Sequence, residues 1–206
     1  MHGLGADAQD CYSFPPQLGL SPEVHIRYVF PNAPKIPVTI NMGLIMRAWY
    51  DVTGVEARGE DEKGIRKSAA RINQLVTREV GRGVSTDRIV LAGFSQGGAM
   101  ALFSALRYPE ALAGVLCLSG YLLLQETLEA EVNTCNAKLP IFQAHGTHDD
   151  IVPYTLGRGS HDRLQEIGYP VNWHEYPMAH QVCMEELRDI GDWLTSLFTR
   201  KQMNNV

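Results

Sequence analysis

Gly93-Phe94-Ser95-Gln96-Gly97 is a Gly-x-Ser-x-Gly run, a nucleophile type held between two glycines, and the chemistry it suits is acyl transfer. A short apolar run, Ile89 to Ala92, reads as a buried strand ahead of it, and a helix-forming run follows from about Gln96. A serine in the sharp turn between strand and helix has a strained backbone and an outward-facing Oγ. The two glycines let neighbouring backbone pass where a Cβ would block it. The helix N-terminus directs free N–H groups and the positive end of its dipole at the place where negative charge develops.

A serine hydroxyl is a poor nucleophile at neutral pH. It needs an imidazole to take its proton, and the imidazole needs a carboxylate to fix its tautomer. Seven histidines compete for the first role. His25 and His174 fall within expected strands and His161 on an expected helix surface, where a histidine is usually packed or solvated. His145 and His148 stand at the end of a strand and in the loop beyond it, close enough to support a site. His180 alone follows the last expected strand, Val171 to Tyr176, and precedes the last helix. The loop His145 to Pro153 offers two adjacent carboxylates, Asp149 and Asp150, and spacing does not choose between them. Sites in open α/β sheets form outside the carboxyl ends of the strands, and Ser95, the His145 to Pro153 loop and His180 fall there. Their order, Ser then Asp then His, is the α/β-hydrolase order.

The elements that must position these residues alternate in type. Val24–Phe30 reads as a strand closed by Pro31, and Asn32 to Gly59 is too irregular for one element. Glu60 to Val80 is helical, with Ile65, Ala69, Ile72, Val76 and Val80 on one face. After the serine, a helix to about Arg107 stops before Pro109. Strands are expected at Ala113–Leu118 and Leu139–Ala144, a helix at about Leu156–Ile167, the strand Val171–Tyr176, and a final helix at about Val182–Phe198. Strands alternating with helices of this length imply a mostly parallel, doubly wound sheet with helices on both faces.

Bulk properties narrow the function classes. The 206 residues, 45% hydrophobic and 20% charged, suit one globular domain spanning 1–206. A net charge of −5 and the lack of a basic run argue against a nucleic-acid partner. The longest mostly apolar stretch, Ala111 to Leu124, is interrupted by Ser119 and Gly120 and is too short for a membrane span. No signal peptide is visible, so a cytoplasmic location is the default. The four cysteines have no paired metal spacing, and neither a metal nor an organic cofactor is expected.

His2-Gly3-Leu4-Gly5, the Gly93 to Gly98 run, His145-Gly146 with Asp149 and Val152-Pro153, and Tyr176-Pro177-Met178-Ala179-His180 together resemble the carboxylesterase / acyl-protein thioesterase family of α/β-hydrolases. Pro31-Asn32-Ala33-Pro34, Trp49-Tyr50-Asp51 and Asp189-Ile190-Gly191-Asp192-Trp193-Leu194 look like its bacterial esterase branch. The resemblance runs over nearly the whole chain. It implies Ser95 as nucleophile, His180 as base and Asp149, rather than Asp150, as acid. It implies an oxyanion hole made by the backbone N–H groups of Leu4 and Gln96, and acyl-pocket walls from Ile45, Met46 and Trp49. Arg47 stands where relatives often have proline.

The family's strand leading into His-Gly-Leu-Gly lies mid-sheet, and here only Met1 precedes His2. One or more N-terminal strands are therefore expected to be missing, with Leu4 N–H the least secure part of the site. The expected activity is hydrolysis of short- to medium-chain acyl esters, small molecules, through an acyl-enzyme. An acyl-protein thioesterase or lysophospholipase with the same three residues is the alternative. A ligand-binding relative without turnover is the rival from another class. A homodimer is left open.

Overall fold

The computed structural model describes residues 1–54 and 60–203, so the last five residues of the irregular stretch Asn32 to Gly59 lie outside the described residues. The rest of that stretch is an antiparallel hairpin, β1 (Lys35–Val38) and β2 (Leu44–Arg47). Next come α1 (Glu62–Val80), β3 (Val90–Phe94), α2 (Gln96–Arg107), β4 (Gly114–Leu118) and the single turn α3 (Leu128–Glu131). The chain closes with β5 (Ile141–Gly146), α4 (Tyr154–Glu166), β6 (Val171–Tyr176) and α5 (Met184–Met203). Strands β3 to β6 form one parallel sheet in sequence order.

Helices cover both faces of that sheet, as the alternating elements imply. Strand β4 is buried along its full length, and its side chains divide by parity between two cores. Val115 and Cys117 pack with Ile65 and Ile72 of α1 and Met100 and Leu102 of α2. Leu116 and Leu118 pack with Leu187, Ile190 and Leu194 of α5. Helix α1 starts where the Asp61 carboxylate accepts the Gly64 N–H at 2.9 Å, and it buries Ile65, Ala69, Ile72 and Val76. Val80, expected on the same face, is 38% exposed.

Val24–Phe30 corrects the sequence reading. It carries no strand ladder among the described residues. Val24 and Ile26 pack against the α5 side of the core, so the apolar alternation marks an extended segment lying on a core. Alternation reports which face is buried, not whether backbone partners lie alongside. Beside β3 the place is taken by Met1. Its N–H group donates to Ala92 C=O at 2.7 Å, and its C=O accepts the Phe94 N–H at 3.1 Å. These two bonds straddle Gly93 as in a parallel bridge. Among the described residues no helix is long and apolar enough to cross a membrane.

Candidate active site

Three loops at the carboxyl ends of β3, β5 and β6 bring Ser95, Asp149 and His180 together. Ser95 has φ +55° and ψ −124°, a conformation that L-residues rarely adopt. The surrounding chain enforces it. Ser95 N–H donates to Leu118 C=O at 2.8 Å, and a Cβ on Gly93 would run into the Gly97 carbonyl. A Cβ on Gly97 would run into the Met1 carbonyl, so both flanking positions accept only glycine.

His180 Nε2 is 2.9 Å from Ser95 Oγ, and His180 Nδ1 is 2.7 Å from Asp149 Oδ2. A carboxylate beside Nδ1 fixes the proton there, leaving Nε2 to accept from the serine hydroxyl. The Asp149 side chain is fully buried, and its other oxygen accepts the N–H groups of Ile151 at 3.0 Å and Val152 at 2.9 Å. Asp150 is exposed. Phe94 packs on the His180 ring at a centroid distance of 4.7 Å.

The acid loop and the base loop are fastened to each other. Thr147 N–H donates to Tyr176 C=O at 2.9 Å, and His148 N–H to Met178 C=O at 3.1 Å. His145 is buried, and its Nε2–H donates to Val152 C=O at 2.9 Å. Burial pushes its basicity below that of a free histidine, so it stands as a neutral brace under the Asp149 loop.

The loop His2 to Gly5 lies against the serine, since a Cβ on Gly3 would sit 3.3 Å from Ser95 Cβ. It is held at every peptide. His2 Nε2 accepts the Ala33 N–H at 3.0 Å, which places the proton on Nδ1, and that Nδ1–H donates to Gly3 C=O at 2.7 Å. Trp49 Nε1–H donates to His2 C=O at 2.9 Å, and Gly5 N–H to Arg47 C=O at 2.8 Å. Arg47 Nη1 in turn donates to Ala33 C=O at 3.0 Å. Leu4 N–H was expected to be the least secure part of the site for want of an upstream strand, and here side chains and Met1 hold its loop instead. Leu4 N–H donates to no protein group among the described residues. Gln96 N–H, first in α2, is among the donors that a helix leaves unpaired.

A cavity of about 410 Å³ opens over Ser95 and His180. Its walls include Leu4, Cys11, Phe14, Phe94, Ile151 and Val182. Ile45, Met46 and Trp49, expected as acyl-pocket walls, are not among the residues that line this cavity. The β1–β2 hairpin turns Ile45 outward at 68% exposure, and Met46 sits beside Gly5 and Asn41. Trp49 is buried with its indole committed to His2. The residues that do line the cavity come mainly from the Pro- and Gly-rich N-terminal segment and the loops after β5 and β6. Leu4 apart, only their apolar type could have pointed to them.

The sequence profile of the phospholipase/carboxylesterase family matches residues 1–198. The chain belongs to that family. Similar curated family proteins include acyl-protein thioesterase 1 of Neurospora crassa, 44% identical over 82% of this chain and 73% of that protein. Acyl-protein thioesterase 1 of Emericella nidulans is 39% identical over 94% of this chain and 86% of its own. Among solved family structures, Arabidopsis thaliana SOBER1 superposes with a TM-score of 0.89 at 29% identity, covering 96% of each chain. The expected likeness to the bacterial esterase branch finds no support in these relatives, which are fungal and plant proteins.

Proposed function

We propose that this family member is a serine acyl hydrolase of the thioesterase type, removing a fatty acyl group from a thioester or ester, with acylated protein as its substrate class. The observation that carries the reading is the hydrogen-bonded series Ser95–His180–Asp149 opening on an apolar-walled cavity. In this reading Ser95 Oγ attacks the acyl carbonyl carbon while His180 Nε2 takes the hydroxyl proton. Asp149 steadies the imidazolium. The N–H groups of Leu4 and Gln96 receive the oxyanion, a role supported by neither having an acceptor among the described residues. Collapse expels the thiol or alcohol, which leaves with the proton from His180. Water, activated by the same imidazole, then releases the acid and restores Ser95.

The names of the relatives support the thioester over the simple ester. Leu4, Phe14, Ile151 and Val182 are proposed to hold the acyl chain in place of Ile45, Met46 and Trp49. The cavity's volume is in the usual ligand-pocket range of roughly 300–1,000 Å³. A second reading, a carboxylesterase of short- to medium-chain esters, is favoured by the open rim, where Ile151 is 61% exposed. A lysophospholipase would use the same three residues.

Rates on p-nitrophenyl acetate, octanoate and palmitate and on an S-palmitoyl-cysteine peptide decide between them. The thioesterase reading predicts that the peptide and the longer esters exceed acetate in kcat/KM by at least about tenfold. Fastest turnover of acetate with no cleavage of the peptide would establish the short-chain reading instead.

A further inference from the structure

Trp49 makes more directed polar contacts than packing requires. Its backbone N–H donates to Gln96 Oε1 at 2.8 Å, and its carbonyl accepts the Ser68 hydroxyl from α1. Its indole N–H donates to His2 C=O at 2.9 Å. The Gln96 side chain completes the grip by donating from Nε2 to Tyr50 C=O at 2.8 Å. The indole also lies 5.4 Å from the His2 ring, centroid to centroid. One buried residue therefore bonds the backbone beside one proposed oxyanion donor, at His2, and the side chain of the residue that carries the other, Gln96.

The two ends of this bridge have a defined consequence for the donors. On one side, the indole fixes the His2–Gly3 peptide, and the His2 ring fixes Gly3 C=O. Gly3 C=O and Leu4 N–H belong to one planar trans peptide, so they point in opposite directions. Holding the carbonyl sets the direction of the N–H. On the other side, Gln96 bonds through its side chain, while its own N–H, first in α2, has no acceptor among the described residues.

We infer that Trp49 is a positioning residue that fixes the spacing of the Leu4 and Gln96 N–H groups by joining the His2–Gly3 peptide to the Gln96 side chain. This deepens the serine-hydrolase reading and rests on it. An oxyanion hole acts through donors fixed before the charge appears, so a bridge that holds both donors contributes in the transition state and little in the ground state. An acyl-pocket wall would do the reverse, altering ground-state binding.

The test compares wild type, Trp49→Phe and Gln96→Met with p-nitrophenyl octanoate, after titrating reactive Ser95 with a fluorophosphonate. Trp49→Phe keeps an aromatic ring and deletes the indole N–H. Gln96→Met keeps the backbone N–H and deletes the amide. Each is expected to lower kcat about 10- to 100-fold, with KM held within about twofold. Affinity for a medium-chain trifluoromethyl ketone, whose serine adduct carries the oxyanion, should weaken by the same factor as kcat/KM. The double variant should lose little beyond the worse single one, because both cut the same bridge.

Unchanged kcat and ketone affinity in Trp49→Phe would overturn the inference, as would a raised KM at wild-type kcat or fully additive losses in the double variant. If Trp49→Phe does not melt as a folded protein, Gln96→Met decides alone, and an unchanged kcat there overturns the bridge. A wild type that neither labels at Ser95 nor turns over ester removes the hydrolase reading itself. An active wild type with indifferent variants removes only the bridge.

Discussion

Ser95 is held at φ +55° by backbone on two sides, and that fixed geometry aims its Oγ at His180 Nε2, 2.9 Å away. Groups linked in this way act as a unit, so removing one member forfeits most of what the unit supplies. Ser95→Ala and His180→Ala are each expected to lower turnover by about 10⁶ while the protein stays folded. Steady-state kinetics with a melting curve checks both at once, and substantial residual activity in Ser95→Ala would contradict the assignment. Asp149→Asn should reduce turnover by about 10⁴, because an amide facing Nδ1 favours the wrong imidazole tautomer. Asp150→Asn should be nearly silent, since its side chain is in solvent and Asp149 holds His180. A reversed ranking of the two asparagine variants would move the acid by one residue. Adjacent aspartates cannot be separated by spacing in a sequence. The Ile151 and Val152 N–H groups converging on Asp149 are the physical reason it is the one turned inward.

At the scale of elements, the loop from β6 to α5 carries His180 and ends above a buried acid. Glu186, in the first turn of α5, is 0% exposed, and neither carboxylate oxygen has a partner among the described residues. Burial raises its carboxyl from 4.5 to about 8, with nearby Asp189 adding to the rise. Tyr176 of β6 donates to that Asp189 at 2.6 Å, and the Cys183 thiol lies 3.5 Å from Glu186 N. A raised carboxyl stabilises the fold fully below its unfolded value, and the contribution is lost as pH climbs through about 8. Glu186→Gln should therefore raise the melting temperature at about pH 9 and change it little near pH 4, since a tenfold difference in proton affinity between folded and unfolded chains is worth about 1.4 kcal/mol. Equal effects at both pH values would contradict a buried neutral acid. Strands β3 and β5 were the most legible because each is a short apolar run with a helical segment after it, as at Val90–Phe94 and Gln96–Arg107. Val24–Phe30 was misread because half-burial of alternate residues looks the same with or without a neighbouring strand. The hydrogen bonds of Trp49 were not legible because residue type announces burial, not where an indole N–H points.

For the whole molecule, the C-terminal edge of one parallel sheet gathers the reacting groups, while the segment before β1 supplies part of the cavity's wall. Phe14 belongs to that wall and to none of the hydrogen bonds around Ser95, so it separates acyl accommodation from chemistry. Phe14→Trp should lower kcat/KM for octanoate about tenfold relative to acetate by shortening the cavity, with acetate turnover kept. A parallel fall on both esters would place Phe14 in the scaffold of the site instead. In the proposed reaction Ser95, activated by His180, carries the acyl group. Peptide mass mapping after brief exposure to a fluorophosphonate tests it most directly. A single adduct is expected on the peptide containing Ser95, lost in His180→Ala and blocked by prior incubation with a medium-chain ester substrate. Ester hydrolysis by a chain that stays unlabelled at Ser95, or labelling unaffected by His180→Ala, would contradict it.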